Sequence, residues 1–204
     1  MKYLINHEYV SIGSQKANHR IILLHGWGAD LEDLLPIGEE IVKNINYDFE
    51  IISLRAPNLH PESIGRQWYG LFPPNWDEAE FEVNRLVSTL HEFGKLDIPL
   101  DRTILLGFSQ GAAMAIHAGN GMKLGLIISC SGYPHPTWIP EINCPVLISH
   151  GFGDEIVPFD ASKEIHEKIQ KVSKKDCFFH EFQGFHEIDR KFIEIIKNKI
   201  YKYF

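Results

Sequence analysis

Three runs in this chain are apolar without alternation: RIILLH from Arg20, TILLGF from Thr103 and LGLIISC from Leu124. A strand with one wet face alternates apolar and polar side chains. A run of four to eight apolar residues that does not alternate predicts a strand buried on both faces, as in a parallel sheet. Short β-branched or apolar runs recur along the chain at Tyr3–Ile12, Arg20–Leu24, Phe49–Leu54, Thr103–Gly107, Leu124–Cys130, Pro145–His150 and Cys177–Phe182. Helical patterns lie between them. Val83, Leu86, Val87 and Leu90 fall on one helix face, with Asp77 and Glu80 spaced as a capping box. Ala161, Ile165, Ile169 and Val172 form a second stripe, opened by Pro158 where a helix start tolerates proline. Ile188, Phe192, Ile195, Ile196 and Tyr203 form a third, and a further helix is expected over about Leu35–Lys43. Strand and helix in alternation predict an α/β fold with a mostly parallel sheet covered on both faces.

The length of 204 residues suits a single domain over 1–204, and no repeat or linker divides it. The net charge of −7 argues against a nucleic-acid partner, which requires a basic face. Three cysteines, Cys130, Cys144 and Cys177, are too few and too far apart for a zinc knuckle or a redox pair and read as reduced thiols. No apolar window reaches the ~18 residues that span a bilayer, and the N-terminus lacks a signal-peptide pattern. The expected location is the cytoplasm. The stretch Arg55–Trp76, with four prolines and two glycines, is the longest expected irregular segment, and such segments are usually functional.

The nucleophile candidate is Ser109, in Gly107-Phe108-Ser109-Gln110-Gly111. A buried strand leads into this G-x-S-x-G, and an Ala-rich helix pattern follows it. That context predicts a sharp strand-to-helix turn that lifts the hydroxyl clear of the sheet, with the glycines leaving room for the crossing. The helix start behind it aims N–H groups at a developing oxyanion.

A serine needs a base and an orienting acid. In this arrangement they follow in the order acid, then histidine. Histidines 117, 135, 150, 166, 180 and 186 lie downstream. His186, in the loop after the last strand, is placed to reach over the carboxyl edge of the sheet. For the acid, Asp154 sits on a Gly-bracketed turn after the Pro145–His150 strand, with Glu155 and Asp160 as rivals. The oxyanion hole is expected from the backbone N–H groups of Gln110 and of Trp27, the latter in the H-G-x-G that ends the Arg20–Leu24 run.

All four tryptophans, Trp27, Trp68, Trp76 and Trp138, fall after strands, on the edge where open α/β sheets bind ligands. Phe108, Phe152 and Phe185 each neighbour a proposed catalytic residue. With Trp68, Tyr69 and Phe72 from the long irregular stretch, they are the expected substrate-contacting residues of an apolar site. Other chemistries fail on spacing. No G-x-G-x-x-G or G-K-[ST] occurs, and His186-Glu187 does not complete H-E-x-x-H.

The segments LLHGWGAD (Leu23–Asp30), LLGFSQGAAMA (Leu105–Ala115), ISHGFGDEIVP (Ile148–Pro158) and GFHEI (Gly184–Ile188) resemble the carboxylesterase/phospholipase family of the α/β-hydrolase fold. That family includes acyl-protein thioesterases, lysophospholipases and small bacterial carboxylesterases. Ala112 stands where the family often repeats glycine. The resemblance implies an α/β-hydrolase fold, and the connection Ser131–Cys144 is too short for a separate cap domain, its prolines at 134, 136 and 140 arguing against a long helix. It implies a triad of Ser109, Asp154 and His186, an oxyanion hole at Trp27 and Gln110, and neither metal nor organic cofactor. The expected function is a small cytosolic carboxylesterase working through an acyl-enzyme, as a monomer or homodimer. The alternatives are an acyl-protein thioesterase or lysophospholipase, or a non-catalytic ligand-binding protein on the same fold. The partner is a small-molecule or lipid acyl ester or thioester.

Overall fold

The computed structural model describes residues 1–62 and 65–204. In chain order the elements are β1 (Lys2–Leu4), β2 (His7–Gly13), β3 (His19–Leu24), α1 (Leu35–Val42), β4 (Phe49–Leu54), β5 (Asn58–Leu59), β6 (Arg66–Gln67), α2 (Trp76–Gly94), a 3₁₀ turn (Leu100–Arg102), β7 (Thr103–Phe108), α3 (Gln110–Ala118), β8 (Leu126–Cys130), β9 (Val146–Gly151), α4 (Phe159–Val172), β10 (Cys177–Phe182) and α5 (Arg190–Tyr203). Eight strands form one sheet in the order β1-β2-β4-β3-β7-β8-β9-β10, and β5 pairs with β6 in a separate ribbon. From β4 to β10 every pairing is parallel, whereas β1 and β2 join antiparallel at one edge. This is the α/β-hydrolase architecture.

The non-alternating apolar runs occupy the centre. Every residue of β3, β8 and β9 is buried. Alternate side chains feed two cores. Ile22, Leu24, Leu105 and Ile127 pack with Leu86 and Leu90 of α2, Met114 of α3 and Ile165 and Ile169 of α4. Ile21, Leu23, Ile104 and Leu106 pack on the other face with Ile41 of α1 and Phe192, Ile196 and Ile200 of α5. The three of α5 recur at helical spacing, and truncating any one to alanine would cost about 2–5 kcal/mol through the cavity left behind.

Three local expectations are corrected. The run Tyr3–Ile12 is two strands, reversed at Ile5-Asn6, where Ile5 takes φ 49°. No glycine marks that turn in the sequence, so the reversal was hidden. Helix α2 is capped by Asn75, whose side chain accepts the Glu78 N–H at 3.1 Å, and not by Asp77. Asp77 lies in the first turn, where its charge still favours the helix N-terminus. Trp76 is accordingly the first residue of α2 and not a loop residue. Within Arg55–Trp76, Ser63 and Ile64 lie outside the described residues. The rest of that stretch carries the β5–β6 ribbon.

Strands β3 and β7 are neighbours, and the chain leaves them in opposite directions along the sheet: β3 is followed by β4 on one side, β7 by β8 on the other. This is a topological switch point, where loops from the carboxyl ends diverge and open a crevice.

Candidate active site

Ser109 sits at that switch point, between β7 and α3, with φ 55° and ψ −120°. A non-glycine residue held in this region stores strain of about 1–3 kcal/mol, which the surrounding structure must impose. Packing imposes it here. A Cβ at Gly107 would collide with the Gly111 carbonyl, and one at Gly111 with the Leu24 and His25 carbonyls. Both glycines let strand, turn and helix cross at contact distance. The Ser109 carbonyl receives the N–H groups of Ala112 and Ala113, so the helix begins at once.

The H-G-x-G loop after β3 lies alongside. A Cβ built on Gly26 would stand 3.5 Å from the Ser109 Cβ. His25, fully buried, fixes this loop. Its Nε2 accepts the Ala56 N–H at 3.1 Å, so its proton is on Nδ1, which donates to Gly26 O at 2.8 Å. Burial lowers the pKa of His25 and keeps it in that neutral form. Gly28, at φ 81°, donates its N–H to Arg66 O at 2.8 Å, and the Trp27 indole donates to Gln67 Oε1 at 2.8 Å. The ribbon thus clamps the loop. Among the described residues, the backbone N–H groups of Trp27 and Gln110 have no hydrogen-bond partner.

His186 and Asp154 come together from the loops after β10 and β9. His186 Nδ1 donates to Asp154 Oδ2 at 2.7 Å. Asp154 Oδ1 accepts the N–H groups of Ile156 and Val157, each at 2.9 Å. Burial pushes this carboxyl up, but the His186 bond and the two N–H groups outweigh it and hold its pKa below the ordinary value. Gly151 allows the two loops to meet, since a Cβ there would press on the Phe185 and Gly184 carbonyls. Of the rival acids, Glu155 is exposed and Asp160 lies in the first turn of α4. Among the other histidines, His180 Nε2 bonds Asp189, the N-cap of α5, at 2.7 Å, and its ring stacks on Phe192. His117 accepts the His135 N–H at 2.9 Å and stacks on the His135 ring. His166 faces Cys177 O at 3.3 Å.

Ser109 and His186 open onto the same cleft, of about 770 Å³, whose walls include Trp27, Phe72, Trp76, Phe108, Tyr133 and Ile156. The Phe108 ring packs against the His186 imidazole, with centroids 4.8 Å apart. Of the expected substrate-contacting residues, Phe72 and Phe108 lie on this wall. Trp68 and Tyr69 do not. Both are fully buried in the core, where large apolar rings beside α2 and α3 gain more from packing than from solvent. Phe152 and Phe185 are exposed and lie outside the cleft lining.

Four contributors escaped sequence reasoning. Tyr133 lines the cleft from a connection that carries no motif, and Ile156 from the ISHGFGDEIVP segment, in which only Asp154 and its neighbours had been singled out. The Gln110 side chain was read only as a neighbour of the nucleophile. His150 contacts the Asp154 carboxylate, and its one available signal was the four-residue spacing in His150-Gly151-Phe152-Gly153-Asp154.

The sheet, the strained serine turn and the His–carboxylate pair on one cleft define the class: an α/β hydrolase. Comparison with known proteins narrows it. The profile of the phospholipase/carboxylesterase family matches residues 5–204, and the chain belongs to that family. It is a serine hydrolase of the esterase/thioesterase type. It is 28% identical to acyl-protein thioesterase 1 of Debaryomyces hansenii over 90% of each chain. Among solved structures it is similar to esterase PE8, with a TM-score of 0.87 and 25% identity over 98% of this chain and 100% of that one. A carboxylesterase of Bacillus cereus shares the fold, with a TM-score of 0.82 at 20% identity, over 97% of this chain and 95% of that one. Among the described residues no helix is long and apolar enough to cross a membrane.

Proposed function

We propose that Ser109, Asp154 and His186 form a catalytic triad that hydrolyses a carboxylic ester or thioester through an acyl-enzyme on Ser109. The observation that carries this reading is the opening of Ser109, on its strained turn, and of His186, bonded to Asp154, onto one apolar cleft. Ser109 Oγ attacks the acyl carbon while His186 Nε2 takes its proton. Asp154 fixes the tautomer with the proton on Nδ1 and stabilises the imidazolium. The unpaired N–H groups of Trp27 and Gln110 receive the negative charge that develops on the acyl oxygen. The imidazolium then protonates the leaving alcohol or thiol, and water, deprotonated by His186, cleaves the acyl-enzyme. The aromatic walls suit the acyl chain, which makes a small carboxylesterase the primary reading. The similarity to acyl-protein thioesterases supports a thioester substrate as the second reading. A fluorophosphonate probe should label the wild-type protein at Ser109 and fail to label Ser109→Ala. Unchanged labelling of that variant overturns the assignment of the nucleophile. Rates on matched acyl esters and acyl thioesters separate the two substrate readings.

A further inference from the structure

The Asp154 carboxylate has a neighbour that the triad does not use. His150, the fifth residue of β9, is fully buried. Its Nε2 lies 2.9 Å from Val157 O and 3.1 Å from Asp154 Oδ2, the same oxygen that His186 Nδ1 contacts at 2.7 Å. Both neighbours of Nε2 are acceptors, so that nitrogen carries a proton. Val157 in turn donates its own N–H to Asp154 Oδ1. The imidazole therefore closes a ring of contacts: its Nε2–H donates to Val157 O, at the far end of the turn that wraps the carboxylate, and the same electropositive edge of the ring lies 3.1 Å from the carboxylate oxygen itself. The other side of the imidazole is anchored independently. Nδ1 lies 2.7 Å from the Ser162 hydroxyl of α4, which bridges onward to Gly132 O, 3.0 Å away, in the connection after β8. The Phe159 ring packs edge-on at 5.8 Å. The charged and titratable groups bearing on the ring are Asp154 and His186, and burial keeps the imidazole below its ordinary pKa.

From this geometry we infer that His150 is a positioning residue of the reaction: it fixes the Asp154 carboxylate and shares its Oδ2 charge with His186. The inference rests on the triad proposed above. Oδ2 faces two ring N–H edges, hydrogen-bonded to His186 and in polar contact with His150, and its negative charge is divided between them. Without the second donor, more of that charge falls on the His186 imidazolium, which is stabilised, while the carboxylate loses one of the contacts that fix its orientation. A geometry error of this kind acts on the chemical step and not on substrate binding.

The test compares His150→Asn with His150→Gln. The glutamine amide can reach the position of Nε2 and donate to Val157 O, whereas asparagine is too short. His150→Asn is expected to lose about tenfold or more in kcat with KM little changed. The acid limb of its kcat/KM profile should move to higher pH by about half a unit. His150→Gln should recover to within about threefold of wild type. Ser162→Ala, which removes the anchor of Nδ1 but keeps the imidazole, should move the acid limb in the same direction and is the deciding measurement if His150→Asn does not fold. A folded His150→Asn with wild-type kcat and an unmoved acid limb overturns the inference. So does failure of His150→Asn to fold together with wild-type behaviour of Ser162→Ala. Full activity in His186→Ala would instead overturn the triad reading, which separates the two failures.

Discussion

Gln110 Oε1 accepts the backbone N–H of Trp68 at 2.9 Å, and the same side chain donates through Nε2 to the next carbonyl, Tyr69 O, at 2.7 Å. A fully buried amide thus ties the start of α3, beside Ser109, to the segment that leads to Leu71 and Phe72 on the cleft wall. In Gln110→Ala the backbone N–H next to the serine remains, but two buried backbone groups lose their partners. Each lost partner costs about 1–3 kcal/mol. The variant should be destabilised by about 2–4 kcal/mol in urea unfolding, with a rise in KM as the wall loosens. Wild-type stability would mean that water or a rearranged segment satisfies both groups.

The triad makes an ordered prediction. Residues that act as a unit lose about as much singly as together. His186→Ala should therefore lose as much kcat as Ser109→Ala, and Asp154→Asn somewhat less, when measured on a p-nitrophenyl ester. If His150→Ala were inactive while His186→Ala stayed near wild type, the assignment of His186 as the base would be wrong.

The connection between β8 and β9, residues 131–145, carries neither helix nor strand. The cleft is instead lined by Leu71, Phe72 and Pro74 and by Ile156–Pro158. A bulky leaving group can then dock from solvent, while the acyl chain contacts the aromatic walls. Across a substrate panel, kcat/KM should vary more with acyl length than with the size of the alcohol or thiol. The opposite ranking would show that something else closes the site.

Stability should fall in mild acid. Burial, and then the charge of Arg85, lower the pKa of His7 to about 4, and burial lowers that of His135 to about 4. In the unfolded chain both lie near the ordinary value of 6.5. The unfolded state therefore binds more protons between these limits. Stability from each histidine is fully present above about pH 6.5 and is lost as the pH falls towards 4, at up to about 1.4 kcal/mol per unit. Melting temperatures between pH 7.5 and 4.5 should drop accordingly. His7 Nδ1 pairs with Thr89 Oγ1 at 2.9 Å while its buried Nε2 has no partner among the described residues. His7→Asn, which keeps a group near Nδ1 and cannot titrate, should flatten the slope by about one proton. An unchanged slope would assign the acid sensitivity elsewhere.

The central strands, the sheet type and the family were legible in the sequence because they rest on local chemistry. RIILLH and TILLGF do not alternate, so they had to be buried on both faces, and Gly107-Phe108-Ser109-Gln110-Gly111 needs its glycines wherever strand and helix cross. The loops that bring Asp154 and His186 together were readable for the same reason: each candidate follows a strand whose carboxyl end the topology directs to one edge. What the local pattern could not supply was decided by packing at long range. Trp68 and Tyr69 belong to an apparently irregular stretch, yet the helices beside them bury both rings and leave Phe72 to face the cleft. The reversal at Ile5-Asn6 follows from the pairing of β1 with β2, not from a turn residue. His150 looked like the end of a strand. Only the fold, by curling the Asp154–Val157 turn back over β9, sets its Nε2 against the carboxylate that His186 also contacts, because a contact across a turn depends on where the backbone returns and not on which residues it contains.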